Sequence, residues 1–199
     1  MRWRELRARV REAWATHGAR RTNPGFWAVA QHAAGRFAIE SSPRALEPLV
    51  RRAVDAADAA ERVAELYTGA RLPADVEVGP ELHLIHTGLV DVHPDVVLGA
   101  RVGLMQGVTI GPDPHGPPGA PVLEDDVFVG THATILGRVR VGRGARVAAN
   151  TLVTSDVPAG AVAIGVPAKI FPGLRWVRDA KEGGGDATRA APPREGERG

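Results

Sequence analysis

From Val76 to Ile170 the aliphatic residues recur every six positions, a period that neither a helix nor a hairpin sheet can absorb. Val78, Leu84, Val90, Val96, Val102 and Val108 form one column, and Val92, Leu98, Leu104 and Ile110 a second, two residues further on. Past an interruption, Leu123, Val129, Ile135, Val141, Val147 and Val153 continue one column. Val127, Ala133, Val139, Ala145 and Thr151 supply a smaller partner, with Gly130 and Gly142 just past the large residue. Helices repeat at 3.6 and strands at 2, whereas a six-residue period marks a parallel β-helix of hexapeptide repeats, each hexad a short strand plus a corner. Coils about 4.8 Å apart would lay like residues over one another and fill a thin aliphatic core. The expected fold class is mainly β, with an α-helical region in front.

The first 69 residues follow a helical period instead. Trp3, Leu6, Val10 and Trp14 share a stripe among arginines over residues 3–16, which Gly18 closes. Asn23-Pro24 starts a second helix, with the asparagine oxygen capping free amides; Trp27, Ala30, Ala33, Ala34 and Phe37 give its expected buried face. Ser42-Pro43 repeats the signal for a third helix reaching about Tyr67, with Leu46, Leu49, Val50, Val54, Ala57, Val63 and Leu66 turned inward. Helices suit the open end of a β-helix, which otherwise exposes unpaired backbone and apolar core. The expected organisation is a helical region over 1–69, the β-helix over 70–171, and a largely disordered extension over 172–199. That extension is rich in charge, glycine and proline and has little to bury, although Leu174-Arg-Trp-Val177 reads as a short docking segment.

Composition narrows the function. No run approaches the ~20 apolar residues of a membrane span, and the first residues lack the apolar segment of a signal peptide, so the cytoplasm is the expected compartment and no membrane partner is expected. The chain has no cysteine, which removes disulfides, thiolate metal ligands and a cysteine nucleophile. A formal net charge of +2, without interleaved basic and aromatic residues, argues against nucleic acid as a partner. Neither a phosphate-binding Gly-Lys-Ser/Thr loop nor a Gly-x-Ser-x-Gly turn occurs, so direct attack by an acceptor is a simpler chemistry than an acyl-enzyme.

The repeat breaks twice. Counting six back from Val92 places His86 in a slot otherwise filled by an aliphatic residue. The second break, Gly111-Pro-Asp-Pro-His-Gly-Pro-Pro-Gly-Ala-Pro121, separates Ile110 from Leu123 by 13 residues where two hexads would take 12, and must leave the coil as a loop. Of the seven histidines, His17 and His32 fall in the helical region and are expected on the surface or between helices. A histidine titrates near working pH and can serve one reaction as base and then acid. From the residues alone, His86 reads equally as a core imidazole bonded to a backbone carbonyl or as such a base. His83, His93 and His132 are expected on the exterior or lining a cleft, and Gln106 reads as polar cleft lining or, with a slight preference, as a corner residue.

Leu84-Ile-His-Thr-Gly, Gln106-Gly-Val-Thr-Ile-Gly111 and Gly165-Val-Pro-Ala-Lys169 resemble the hexapeptide-repeat acyltransferases, and serine acetyltransferases most of all, over roughly residues 76–170. The resemblance implies a left-handed β-helix, a homotrimer, and transfer of an acetyl group from acetyl-CoA to the hydroxyl of a small-molecule acceptor, with no metal. It places the general base at His86. His115 is a second candidate, similar to the loop histidine of galactoside-type acetyltransferases. Coenzyme A is implied in a crevice between subunits, along Gly130, Thr131, Ala148, Ala149, Thr154 and Ser155, with Lys169 and Arg146 toward the phosphates. Ile85 and Arg71 stand where serine acetyltransferases carry acidic residues, and Gly119-Ala120-Pro121 where they carry Arg-His-Pro, so the acceptor stays open among serine, a sugar, an antibiotic, another metabolite or an amine. A carbonic-anhydrase-like zinc enzyme using three of His83, His86, His115 and His132, and a non-catalytic scaffold, are the other readings.

Overall fold

The computed structural model describes residues 3–19, 23–53, 68–86 and 88–174. Helices α1 (Trp3–Thr16) and α2 (Pro24–Ser41) precede a three-sided prism of short parallel strands. The first face stacks Ala70–Arg71, Val90–Val92, Thr109–Gly111, Thr134–Leu136 and Leu152–Val153. The second stacks Glu77–Val78, Val97–Leu98, Val122–Leu123 and Arg140–Val141. The third carries His83–Leu84, Gly103–Leu104, Phe128–Val129, Arg146–Val147 and Val162–Ile164, and ends in the antiparallel strand Lys169–Phe171. This is the β-helix that the six-residue period demands.

From Leu84 to Val153 the strands present their large aliphatic to the axis, and like lies over like: Leu104 pairs with Val129, Ile110 with Ile135, Leu98 with Leu123. Leu84, Leu98, Leu104, Ile110, Leu123 and Ile135 are all but fully buried. The core slot at Thr151 is polar yet satisfied, since its hydroxyl accepts from the Gly165 amide at 3.2 Å.

The register corrects both counts made at the breaks. An uninterrupted coil takes eighteen residues, as from Thr134 to Leu152. Thr109 pairs with Thr134, twenty-five on, so Ile110 and Leu123 stand in successive rungs and the loop adds seven residues rather than one. His83 pairs with Gly103, twenty on, so the first coil carries two extra residues. Val92 therefore resumes the core eight residues after Leu84, and no core slot falls at His86.

Residue choice in the helices reflects what the first coil lacks. Its strands have no preceding coil, so a row of backbone groups needs other partners. His17 Nε2 accepts from the Leu84 amide at 3.2 Å while Nδ1 donates to the Ala13 carbonyl at 2.8 Å. His32 Nδ1 donates to the Pro73 carbonyl at 2.9 Å, and Arg36 reaches the Val76 carbonyl at 3.1 Å. Both histidines are buried, at 3% and 7% exposure, which overturns a surface placement; His17 does lie between the helices, against Gly25 of α2, and both bond to the first coil where a preceding coil would have done so. The Asn23 cap forms as expected, accepting from the Gly25 amide at 3.0 Å. The buried face of α2 is rotated from the one expected. Gly25, Phe26, Ala28, His32 and Ala33 are buried and Trp27 is exposed, because α2 packs on α1 and the first coil together. Trp14 meets Phe26 edge-on, with ring centroids 5.2 Å apart. Residues 47–53 begin the third helix, but Leu46 and Leu49 are exposed rather than inward; its continuation and the extension beyond 174 lie outside the described residues.

Candidate active site

The corner between the third and first faces is where the two extra residues of the first coil sit. Its rows stack directly: the Gly107 amide donates to the Gly88 carbonyl at 2.8 Å, His132 to Gln106 at 3.0 Å, and Asn150 to Thr131 at 2.9 Å. Turned outward by the bulge, His86 is exposed at this corner, with Thr87 outside the described residues. The bulge thus converts what counting by six reads as a core position into an exposed imidazole at the corner.

Three residues earlier, His83 lies half-buried on the outer third face, its ring 5.3 Å from that of His17 and perpendicular to it. Burial first, and then the charge of the neighbouring His86, hold His83 below the ordinary histidine value. A neutral His83 beside His86 follows. His132 is exposed at the same corner two coils on, its ring lying over Gly107, where a β-carbon would come within 2.0 Å of Nδ1.

His115 belongs elsewhere. It is exposed in the loop between the first and second faces, its amide donating to Asp113 Oδ1 at 2.9 Å. His93 occupies that corner too, packed against Gly111 with Nδ1 3.6 Å from Asp95 Oδ2. The chain therefore holds His86 and His115 at different corners. Among the described residues, no three histidine, aspartate or glutamate side chains gather closely enough to hold a metal ion.

The residues considered for coenzyme A divide likewise. Gly130 and Ala148 lie at the outer edge of the third face, and Thr131 and Ala149 at its corner with the first face, beside the row that holds Gln106 and His132. Lys169 pairs with Ile164 at the end of that same face and is exposed. Thr154 and Ser155 follow the strand Leu152–Val153 and so fall at the next corner. Gly130 has a reason of its own, since a β-carbon there would lie 2.7 Å from the Ala149 amide nitrogen. The Arg146 guanidinium lies over the Phe128 ring at 5.6 Å, on the outer third face. A separate cavity of about 370 Å³ between the helices and the first coil, lined by Glu12, His32, Arg36 and Glu77 among others, touches none of these residues.

Sequence counting missed the pairing of Arg71 with Asp91. The two are Cα partners on the first face, bonded at 3.1 Å, so the outer face keeps a carboxylate one coil from position 71. The signal was available in the spacing, because a twenty-residue first coil sets 71 opposite 91.

Residues 122–155 match the family model described as the hexapeptide repeat of succinyl-transferase. The chain is a left-handed β-helix of hexapeptide repeats, the fold of the serine acetyltransferases. Serine acetyltransferase of soybean, solved in complex with serine, superposes with a TM-score of 0.68 at 25% identity over 83% of this chain and 69% of that one. The Brucella abortus enzyme, solved with coenzyme A, gives 0.64 at 21% over 84% and 67%. By sequence, a 61-residue stretch is 54% identical to the 2,3,4,5-tetrahydropyridine-2,6-dicarboxylate N-acetyltransferase of Staphylococcus aureus, covering 31% of this hexapeptide-repeat chain and 26% of that protein. The chain thus spans about a quarter of the length of the curated relatives it matches.

Proposed function

We propose that the protein transfers an acetyl group from acetyl-CoA to a hydroxyl acceptor, with His86 as general base. The observation that carries this reading is the outward imidazole of His86 on the bulged corner, beside a column of small residues, in a fold whose solved examples include serine acetyltransferases. The acceptor oxygen attacks the thioester carbonyl carbon and gives its proton to the His86 ring. The tetrahedral intermediate collapses by breaking the C–S bond, and the imidazolium returns the proton to the departing thiolate sulfur. Small side chains at Gly130, Thr131, Ala148 and Ala149 let an extended pantetheine arm approach the backbone, and Lys169 supplies a cation at the end of the same face for phosphate.

His115 stands at another corner, so a two-histidine site requires the loop of a second protomer, and the trimer belongs to this proposal. Ile85 and Arg71 leave serine as one acceptor among several. The Staphylococcus aureus relative acts on nitrogen, which makes an amine the second acceptor class to test.

The experiment is a CoA-release assay with acetyl-CoA and a panel of serine, homoserine, galactosides, amino sugars and simple amines. His86→Ala should reduce turnover by about 10²–10⁴-fold with the fold intact. Full turnover in His86→Ala, His115→Ala and the double variant would overturn the mechanism.

A further inference from the structure

At the corner that presents His86, one buried polar atom among the described residues has no partner: the side-chain carbonyl Oε1 of Gln106. Gln106 lies one coil from the bulge, with its Cβ 3.8 Å from where a β-carbon on Gly88 would stand. Its backbone carbonyl accepts from the His132 amide at 3.0 Å, and the next amide, Gly107, donates to Gly88 at 2.8 Å. Stacking therefore uses the backbone here and leaves the side-chain oxygen idle. A buried amide oxygen without a donor costs about 1–3 kcal/mol, and an aliphatic side chain of similar size would fill the position without that cost.

We infer that Gln106 Oε1 receives a hydrogen-bond donor of the acceptor substrate, a hydroxyl or amide N–H standing beside the hydroxyl that is acetylated. The inference rests on the acetyl-transfer reading above. Position favours acceptor over thioester donor: Gln106 is in the row next to His86, whereas Gly130 and Ala148 lie one and two coils further along. Chemistry sets the class of donor. Within one chain the corner residues 86, 88–89, 105–107, 130–132 and 148–150 include no aspartate or glutamate, and the one carboxylate that a second protomer's loop would bring beside His115, that of Asp113, already accepts from the His115 amide at 2.9 Å. A neutral carbonyl can accept one hydrogen bond but does not balance a desolvated ammonium charge. A polyol or a hydroxy-amide therefore fits this corner better than a free amino acid with its ammonium group at the same place.

The test compares wild type with Gln106→Leu, and with Gln106→Met as a second apolar replacement. Melting temperature is measured alongside separate KM values for acetyl-CoA and for the best acceptor of a panel that includes serine, N-acetylserine, glycerol and a galactoside. The expected result is a melting temperature equal to or above wild type, acceptor KM raised about tenfold, as for the loss of one hydrogen bond, and acetyl-CoA KM within twofold. Wild type should also prefer N-acetylserine or a polyol to serine. A lowered melting temperature with acceptor KM unchanged in both variants would assign Gln106 to the fold and overturn the inference. A rise confined to acetyl-CoA KM would move the contact to the thioester donor, and a preference for serine over N-acetylserine would refute the neutral class. Absence of CoA release by wild type with every acceptor would overturn the transfer reading itself, an outcome distinct from all of these.

Discussion

His32 makes the stability of the helical cap depend on pH in a way that can be worked out in advance. Burial is the main cause that pushes its pKa from the ordinary 6.5 down to about 4; the carbonyls of Pro73 and Leu72 oppose it, while the charges of Arg36 and Arg9 add to it. An unfolded chain takes up a proton below pH 6.5, but the native chain does so only near pH 4. The unfolded state thus binds more protons in between, and stability falls as pH falls through that window. At about 1.4 kcal/mol per pKa unit, the ceiling is about 3 kcal/mol, of which about 2 is lost by pH 5. His17 is also depressed, by burial first and by the charge of His83 last, and contributes with the same sign. Asp126 and Glu124, held below the ordinary carboxylate range chiefly by hydrogen bonds, from Arg101 to Asp126 and from the Arg143 amide and Arg140 to Glu124, act only below about pH 4.5 and leave the window clear. The perturbation is His32→Asn, whose amide keeps a donor for the Pro73 carbonyl and does not titrate. Urea unfolding at one protein concentration, followed by tryptophan fluorescence at pH 7.5, 6 and 5, should give wild type a drop about 2 kcal/mol steeper than the variant. Three of the four tryptophans, Trp3, Trp14 and Trp27, lie in the cap, so most of the signal reports its release. Parallel pH dependences in two folded proteins would refute the reasoning.

Other substitutions test the prism directly. Ile135→Ala, at a fully buried rung, should lower unfolding free energy by about 2–5 kcal/mol in urea. Thr151→Val leaves the Gly165 amide without its hydroxyl partner and should cost about 1–3 kcal/mol by the same measurement. Gly130→Ala drives a β-carbon against the backbone of the next coil and should lower the melting temperature, at about 1–3 kcal/mol, whether or not acetyl-CoA is present. Breaking the exposed Arg101–Asp126 pair with Arg101→Met should leave the urea midpoint nearly unchanged, with any difference shrinking further at high salt.

The prism was legible because its constraint is repeated at every rung. Each hexad must send one large residue inward, so a missed residue in one coil is corrected by the next, and Ile110, Ile135 and Val153 announce the same face. The cap was legible only in outline. A helical stripe tells that α2 buries something, but His32 and Gly25 face inward, and Trp27 outward, because of where the first coil ends. That boundary is a tertiary fact with no local signature. Buried histidines at 17 and 32 follow from the same cause: a coil without a predecessor has amides and carbonyls to satisfy, and an uncharged imidazole offers one donor and one acceptor.

The candidate site was hidden for the opposite reason, since it lies where the repeat fails. Counting by sixes through the bulge put His86 inside; counting eight from Leu84 to Val92 turns it out, and only the pairing of His83 with Gly103 tells which count is physical. The same two residues set Arg71 opposite Asp91 and bring Gly88 under Gln106. A bulge that restored the eighteen-residue coil, by deletion of Gly88 and Leu89, would move the next turn toward the core slot now passed over. If acetyl transfer depends on the outward imidazole, that deletion should abolish turnover in a chain that retains its β-sheet circular dichroism; undiminished turnover would show that the corner geometry is incidental to the chemistry.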